Sequence, residues 1–415
     1  MLCCSQSCIQ TQYSDEMVQQ YKNDIKDRML KMSENANLTS LNFISSFDID
    51  TLLIENCPNT QLDVQSCKIT ELHILDCELQ FATGLHLFPN LTILILTQNK
   101  LLQINELSTL TFLSKLDLSF NVITDISPLQ SLKNLKYLNL TANQTLTNIC
   151  PLQELTQLTI LNLQQINLEN ASVLSTLIQL QELDLGYNKL VSLSGLQNMN
   201  QLQKLNLASN LLQDISILST LNLKELNISQ NPDIDLQPLL YMVDLKVLYV
   251  CDNALSGNAA IYLRNLVQLE NLQMSCNQIV DVYPLRKLTK LKALDMFMNE
   301  IIDTTPLKEL QLQSLNLQFN YVQSFELIKA HEHWNQQDQQ QPTPRQLFIS
   351  KSIQIIHGFT DQIAIINKKH TEFDERIIKK QKTTHQLINN SLNRHEVFIN
   401  SVARLLQQGN DNNQQ

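Results

Sequence analysis

The residues of this sequence that are best suited to chemistry are its histidines, cysteines and carboxylates. His331-Glu332-His333 is the densest histidine cluster, but two histidines that bind one metal ion from a single helix face stand four residues apart. The glycine-based phosphate and nucleophile motifs, Gly-x-x-x-x-Gly-Lys-Ser/Thr, Gly-x-Gly-x-x-Gly and Gly-x-Ser-x-Gly, do not occur. Most carboxylates follow the repeat described below, so no pair stands out as acid and base. We therefore expect no catalytic residue, no cofactor, no metal site and no enzymatic activity.

Nine cysteines occur in the chain. The opening residues carry neither the charged segment nor the apolar segment of a secretory signal. Together these features predict free thiols in a reducing compartment, the cytoplasm or, as an alternative, the nucleus. Cys3, Cys4 and Cys8 lie where acylation would tether the chain to a membrane. An unmodified cysteine-bearing tail is the other interpretation of these three residues.

The charge of the chain is unevenly distributed. The net charge is −10 over 415 residues, with 20 basic and 34 acidic residues in 1–344 but 10 basic and 6 acidic residues in 345–415. An acidic body argues against nucleic acid as the ligand, because phosphate binding depends on clustered lysine and arginine. No run of about 18 apolar residues occurs, so we expect no transmembrane segment.

The strongest pattern is Leu-x-x-Leu-x-Leu-x-x-Asn, which is clear at Leu113–Asn121 and returns about every 22 residues. Cys57 and Cys77 take the final position in two earlier copies, and a weaker copy precedes them. Ile166 takes it in one middle copy, where we expect a weakened joint between neighbouring repeats. The asparagines that close the other copies, and that we predict to form a structural ladder, are Asn99, Asn121, Asn143, Asn188, Asn210, Asn231, Asn253, Asn277, Asn299 and Asn320.

This spacing predicts an α/β solenoid. In Leu-x-Leu both leucines point to one face of a short strand, and the apolar residues that follow Asn121 recur about every three residues, as in a 3₁₀ or short helical return. One such coil cannot bury its own leucines, whereas stacked coils share a continuous core and a parallel sheet. The asparagine amide both donates and accepts, so it can satisfy backbone groups at the corner between coils.

These copies resemble the leucine-rich-repeat superfamily over residues 30–334, with 13 to 14 repeats. The stretch after the asparagine, Val122-Ile123-Thr124-Asp125-Ile126-Ser127-Pro128-Leu129, is similar to the 22-residue subclass of the protein phosphatase 1 regulatory subunit and of bacterial internalins. The resemblance implies a horseshoe with a concave parallel β-sheet and convex 3₁₀ or short-helical returns, and the apolar spacing beyond the repeats adds a C-terminal helical segment. It also implies that the concave sheet binds a protein partner.

The flanks of the repeats predict further segments. Met17, Tyr21, Ile25 and Met29 recur at helical spacing, which indicates a helix that covers the first coil. Beyond the repeats, apolar residues at helical spacing favour a segment that packs back on the solenoid or forms a separate arm with weak self-association. The predicted segments are a disordered tail at 1–12, a capping helix at 13–29, a linker at 335–345, a helical region at 346–408 and a disordered tail at 409–415.

The solvent-facing positions of the predicted strands are the candidate binding residues. Large aromatic side chains on an exposed sheet are typical interface anchors, and neighbouring aspartates suit basic groups of a partner. A hydrated polar surface, with each aromatic packed along its neighbouring coil, is the alternative. The predicted partner-binding residues are Lys115, Asp117, Phe120, Tyr137, Asp184, Tyr187, Tyr249, Asp295, Phe297 and Phe319.

Two functions fit the sequence. The first is a non-enzymatic protein-interaction module or scaffold that binds a partner on the concave face, including a role like that of a phosphatase regulator. The second is a structural or oligomerising component of a cytoskeletal or membrane-associated assembly that uses the C-terminal helices. The partner's identity does not follow from the repeat.

Overall fold

A computed structural model describes residues 15–35, 38–58, 60–64, 66 and 68–322 of the chain, with the side chains of 15–18 left out. The predicted tail at 1–12, the linker at 335–345, the helical region at 346–408 and the tail at 409–415 lie outside these residues. So do the last residues of the predicted repeat region, the His331-Glu332-His333 cluster, and Cys3, Cys4 and Cys8.

The described part of the chain forms one sheet of fourteen parallel strands that stack in sequence order. Its inward leucines are in register, so Leu94 lies opposite Leu116 and Leu116 opposite Leu138. This arrangement confirms the predicted solenoid. The strands are β1 (Met29–Ser33), β2 (Thr51–Glu55), β3 (Glu71–Leu75), β4 (Ile93–Ile95), β5 (Lys115–Asp117), β6 (Tyr137–Asn139), β7 (Ile160–Asn162), β8 (Glu182–Asp184), β9 (Lys204–Asn206), β10 (Glu225–Asn227), β11 (Val247–Tyr249), β12 (Asn271–Gln273), β13 (Ala293–Asp295) and β14 (Ser314–Asn316).

Most of the returns between strands contain a short 3₁₀ helix, as the three-residue apolar spacing predicted. In several of them an aspartate accepts a hydrogen bond from the first amide of the helix, as Asp125 Oδ1 does from Ser127 N at 2.8 Å. Proline follows in the first turn, where its missing N–H costs no bond. The 3₁₀ helices are Asn42–Ser46, Leu85–Leu87, Asn105–Thr109, Ser127–Ser131, Cys150–Glu154, Ser172–Thr176, Ser216–Thr220, Gln237–Tyr241, Ala259–Leu263, Tyr283–Lys287 and Thr305–Leu307.

The asparagine ladder joins each coil to the one before it. Asn121 Nδ2 donates to the carbonyl oxygens of Leu118 in its own coil and Leu96 in the preceding coil, at 3.0 and 2.9 Å. Its Oδ1 accepts from the amide of Leu101 at 3.0 Å. The same side-chain bonds to the preceding coil are present at the other predicted positions, namely Asn99, Asn143, Asn188, Asn210, Asn231, Asn253, Asn277, Asn299 and Asn320.

The substituted ladder positions keep part of this bonding. Cys77 Sγ accepts from the amide of Cys57 at 3.3 Å, and both thiols are fully buried. Burial raises the pKa of Cys57 and raises that of Cys77 to about 11, so both remain protonated structural groups. Ile166 is 1% exposed and its amide donates to Asn188 Oδ1. The isoleucine side chain has no oxygen to accept a hydrogen bond from the amide of Thr145. This amide stands in the coil before Ile166 where the amide of Leu101 stands in the coil before Asn121.

The N-terminal helix, α1, spans Asp15–Asn23 and is shorter than the 13–29 expected from the apolar spacing. The helix ends at Asn23, and Asp27 and Arg28, with left-handed φ of 48° and 63°, form the turn that leads the chain into β1. Met29 therefore belongs to a strand. The Tyr21 ring still stacks on Phe43 with 5.3 Å between centroids, so α1 packs on the first coil.

Candidate protein-binding surface

The solvent side of the sheet, here called the sheet face, shows four rows of side chains. In the β5 coil they are Lys115 in the front row, Asp117 in the central row, Ser119 in the third row and Phe120 in the corner row. Leu116 and Leu118, between them, are fully buried. Because the strands are parallel and in register, each row runs from coil to coil at a spacing of about 4.8 Å.

In seven of the fourteen described coils the central-row residue caps the end of its strand. Asp117 Oδ1 accepts a hydrogen bond from the amide of Ser119 at 2.9 Å, and a third-row amide that no strand pairs with is thereby satisfied. The residues that make this bond are Asp117, Asn139, Asp184, Asn206, Asn227, Asp295 and Asn316. The predicted binding aspartates Asp117, Asp184 and Asp295 therefore also have a structural task that the sequence analysis did not recognise.

The β11 coil departs from this rule. Its central residue is Tyr249, and the amide of Cys251 donates instead to Ser229 Oγ of the preceding coil at 3.0 Å. Because Ser229 caps this amide, the central residue of the β11 coil does not have to be an aspartate or asparagine. Tyr249 is half-buried, and desolvation together with Glu225 raises the pKa of its phenol, so it presents a neutral hydroxyl at the sheet face.

The corner row carries the most exposed aromatic residues of the sheet face. Its φ angles lie between 50° and 59° in all fourteen coils, a conformation that bulky side chains adopt at a cost. Phe120, Tyr187 and Phe319 are nevertheless 51%, 51% and 39% exposed. Ala142 and Ser209 hold the same position in other coils, so the turn does not require a large ring.

The predicted residues form separate groups. Lys115 Nζ lies 5.0 Å from the centroid of the Tyr137 ring, a cation–π contact beside Asp117. At the other end, the Phe297 and Phe319 rings meet edge to face at 5.0 Å, next to Asp295. Nine strand steps, or roughly 43 Å at the usual strand spacing, separate β5 from β14. Asp184, Tyr187 and Tyr249 lie between these ends, so a ligand that touches every group must be large.

The sheet face is acidic. Its four rows hold three lysines, of which Lys31 pairs with Glu55 and Lys204 with Glu182, both at 2.8 Å, while Lys115 covers Tyr137. Ten carboxylates accompany them. They are Glu34, Glu55, Glu71, Asp76, Asp117, Glu182, Asp184, Glu225, Asp252 and Asp295. This excess of negative charge favours a ligand with basic groups.

One group of side chains on the sheet face was missed in the sequence. In β2 to β4 the outward positions carry aliphatic residues, Leu53, Leu75, Ile93 and Ile95, around His73, and all are partly exposed. The signal was present, because Leu53, His73 and Ile95 occupy the central row. The predicted binding residues begin at Lys115 and are aromatic or charged, so they do not include this group.

The other chemical groups of the described residues do not assemble a reactive site. No three histidines, cysteines or carboxylates among them are placed to hold a metal ion. Burial raises the pKa of Cys251 and Cys276, which makes these thiols poor nucleophiles. No helix in the described ranges is long and apolar enough to cross a bilayer.

Comparison with known proteins points to one family. A family model described as leucine-rich repeats in two copies matches residues 111–154. An internalin from Listeria monocytogenes is similar at 35% identity over 60% of this chain and 74% of that protein, with a TM-score of 0.57. No curated protein matches the chain.

Two more distant structures share the fold. A leucine-rich-repeat protein from Leptospira interrogans is 22% identical over 73% of this chain and 86% of that protein, with a TM-score of 0.55. The Toll–Spätzle complex of Drosophila aligns at 20% identity over 67% of this chain and 42% of that one, with a TM-score of 0.54.

Proposed function

The chain belongs to the leucine-rich-repeat superfamily, and from this premise we propose that it is a non-catalytic module that binds a protein partner through its sheet face. Repeat folds of this kind present a long continuous surface that suits macromolecules better than small substrates. The proposal locates the chain in the cytoplasm, where the buried Cys57 and Cys77 stay as free thiols.

The observation that carries this proposal is the exposure of Phe120, Tyr187 and Phe319 at positions where the fold accepts small residues. Each ring costs strain in the left-handed conformation and leaves apolar surface in water. The free chain gains no stability from these rings. The binding energy that they supply to a complex offsets both costs when a partner covers them. Aromatic anchors of this kind supply much of the energy of protein interfaces.

The charge of the sheet face defines the chemistry of the partner. Asp184, next to Tyr187, uses Oδ1 for the amide of Gly186 and remains a carboxylate at the surface. A partner that sets lysine or arginine beside an apolar side chain would match this alternation of charge and ring. Added salt should therefore weaken the complex by slowing association.

The resemblance of the 22-residue motif to the phosphatase regulatory subunit supplies one candidate partner, the catalytic subunit of protein phosphatase 1. One similar structure, Toll, is seen in complex with Spätzle, which supports protein binding as the general role. The partner of this chain is to be identified by experiment.

A second candidate is a structural role through the predicted helices at 346–408, which lie outside the described residues. The mass of the full chain in solution distinguishes it from the first. A monomer favours the interaction module. An oligomer that becomes monomeric when residues 346–415 are removed favours the structural role.

The test is affinity capture from a native cell lysate, followed by identification of bound proteins by mass spectrometry. The full chain is compared with the variant Phe120→Ala, Tyr187→Ala, Tyr249→Ala, Phe297→Ala. The matched control is Tyr241→Ala, Tyr283→Ala, which removes exposed rings from two returns. We expect a partner that the wild type and the control retain and the sheet-face variant loses, with all three chains folded. Equal capture by all three would contradict binding through the sheet face.

A further inference from the structure

The aliphatic residues of β2 to β4 form a continuous patch at the N-terminal end of the sheet face. Leu53, His73 and Ile95 are adjacent in the central row, because the register pairs Leu53 with His73 and His73 with Ile95. Ile93 in the front row and Leu75 in the third row border them. We call these five residues the aliphatic patch.

Folding does not require aliphatic residues at these positions. Along the same central row, other coils carry Asn139, Asn162 and Gln273, so an amide side chain fits the sheet there. The third row holds small residues such as Ser119 and Ala208 where the patch has Leu75. Aliphatic side chains left partly in water at several neighbouring positions are a feature of surfaces that another molecule covers.

The histidine in the patch has an unmet hydrogen bond. Nε2 of His73 is shielded from solvent and has no hydrogen-bond partner, and the nearest carboxylate oxygen, on Glu71, is 3.9 Å away, too far for such a bond. Desolvation lowers the pKa of the imidazole, Lys115 lowers it further and Glu71 raises it, so the ring is neutral at pH 7. A neutral imidazole whose polar atom is shielded adds to the apolar surface of the patch and carries no charge there.

The border of the patch is acidic. Four carboxylates surround it, on Glu55, Glu71, Asp76 and Asp117, against two lysines. Lys31 is paired with Glu55 and Lys115 lies over the Tyr137 ring. The rim therefore complements a ligand that carries positive charge close to an apolar group.

We propose that the aliphatic patch binds an apolar side chain of a basic segment of the protein partner, which packs on Leu53, Ile95 and the ring of His73. The inference rests on the proposed function and adds a second anchor to the sheet face. The aromatic groups bind the partner from β5 to β14, and the patch at β2 to β4 binds the part of the partner that extends beyond β5. The patch begins one strand spacing, about 5 Å, from β5.

The test uses a displayed library of random 12-residue peptides, selected on the full chain at neutral pH. Enriched peptides are synthesised, and their affinities are measured by fluorescence anisotropy for the wild type and for three variants. Leu53→Gln, Ile95→Gln makes the patch polar with a side chain that the row accepts elsewhere. Gln273→Ala is the matched control in the same row. Tyr249→Ala, Phe297→Ala removes aromatic residues of the proposed binding surface.

We expect the selection to enrich peptides with lysine or arginine near an aliphatic residue. Their affinity should fall at least about tenfold for Leu53→Gln, Ile95→Gln and stay within about twofold for Gln273→Ala. Peptide binding should also shift the NMR signal of the His73 imidazole, which is assigned by its absence from the spectrum of His73→Gln.

The outcomes separate this inference from the proposed function. Peptides that lose affinity only for Tyr249→Ala, Phe297→Ala would overturn the patch and leave sheet-face binding intact. Peptides that bind Leu53→Gln, Ile95→Gln as tightly as the wild type would overturn the patch, as would a selection that enriches no peptide. The proposed function is decided separately, by the capture experiment on the variant that includes Phe120→Ala and Tyr187→Ala.

Discussion

At the scale of single residues, the ladder asparagine replaces hydrogen bonds that the backbone cannot make for itself at the corner of a coil. Asn121 bonds to four backbone groups, the amide of Leu101 and the oxygens of Leu96, Leu118 and Ser119. A hydroxyl is too short to reach both coils, and a carboxylate lacks the donor. The sequence predicted this role because asparagine recurs at one position of the repeat.

Replacing this side chain gives the first prediction. Asn121→Ala leaves the buried amide of Leu101 without its acceptor. The oxygens of Leu96 and Leu118 lose one donor each but keep those of Asn99 and Asn143. We therefore expect a loss of about 1–3 kcal/mol in the free energy of unfolding. Urea unfolding followed by circular dichroism measures it. The control is Asn134→Ala, which removes one exposed bond, to the oxygen of Thr111. Similar losses in the two variants would contradict the ladder as a source of stability.

The Ile166 position gives the second prediction. Because the isoleucine is buried, replacing it with asparagine also removes apolar contact, so the ladder contribution is measured against Ile166→Ala. Ile166→Asn supplies an acceptor for the amide of Thr145. Its free energy of unfolding, measured by urea unfolding, should exceed that of Ile166→Ala by about 1–2 kcal/mol. If alanine were equally stable here, the missing ladder residue would not weaken this joint.

At the scale of elements, the first turn of the returns depends on ionised aspartates. Each of these aspartates accepts hydrogen bonds from the hydroxyl and the amide of the residue two positions later, at the start of a 3₁₀ helix. These bonds lower the pKa of Asp125, Asp214 and Asp303 below the usual 3.8. A pKa that is lower in the folded state gives stability that is present above pH 3.8 and is lost as the pH falls through the folded value.

The third prediction follows from this sign. The unfolding temperature should fall as the pH drops below about 4. The triple variant Asp125→Asn, Asp214→Asn, Asp303→Asn keeps the acceptor without the titration, as Asn148 and Asn170 already do in two returns. It should lose less stability than the wild type between pH 5 and pH 3. An identical pH profile would show that these caps do not contribute.

The strands and returns could be predicted because their residues repeat, whereas other elements depend on contacts that no period reveals. The helix α1 ends at Asn23, and the left-handed turn at Asp27 and Arg28 then places Met29 in a strand, although Arg28 is not a typical turn former. The capping by Asp117 follows from the direction of one unpaired amide, which the sequence does not contain. The aliphatic patch was missed because only aromatic residues were considered as anchors.

At the scale of the whole molecule, the sheet face combines three surfaces in sequence order. The aliphatic patch lies at β2 to β4, the charged and aromatic groups of Lys115 and Tyr137 follow at β5 and β6, and the Phe297–Phe319 pair lies at β13 and β14. Ten carboxylates spread along them give the face one sign of charge. The predicted partner-binding residues stay predictions until a bound protein is mapped onto them.

Hydroxyl-radical footprinting of the complex with the captured partner shows whether the partner covers the sheet face. Hydroxyl radicals oxidise exposed aromatic rings. The sheet face presents Phe120, Tyr187 and Phe319, and the returns present Tyr241 and Tyr283, which are 67% and 55% exposed. We expect the partner to lower the oxidation of Phe120, Tyr187 and Phe319 several-fold and to leave that of Tyr241 and Tyr283 unchanged. Protection of Tyr241 and Tyr283, with unchanged oxidation of the three sheet-face rings, would contradict binding through the sheet face.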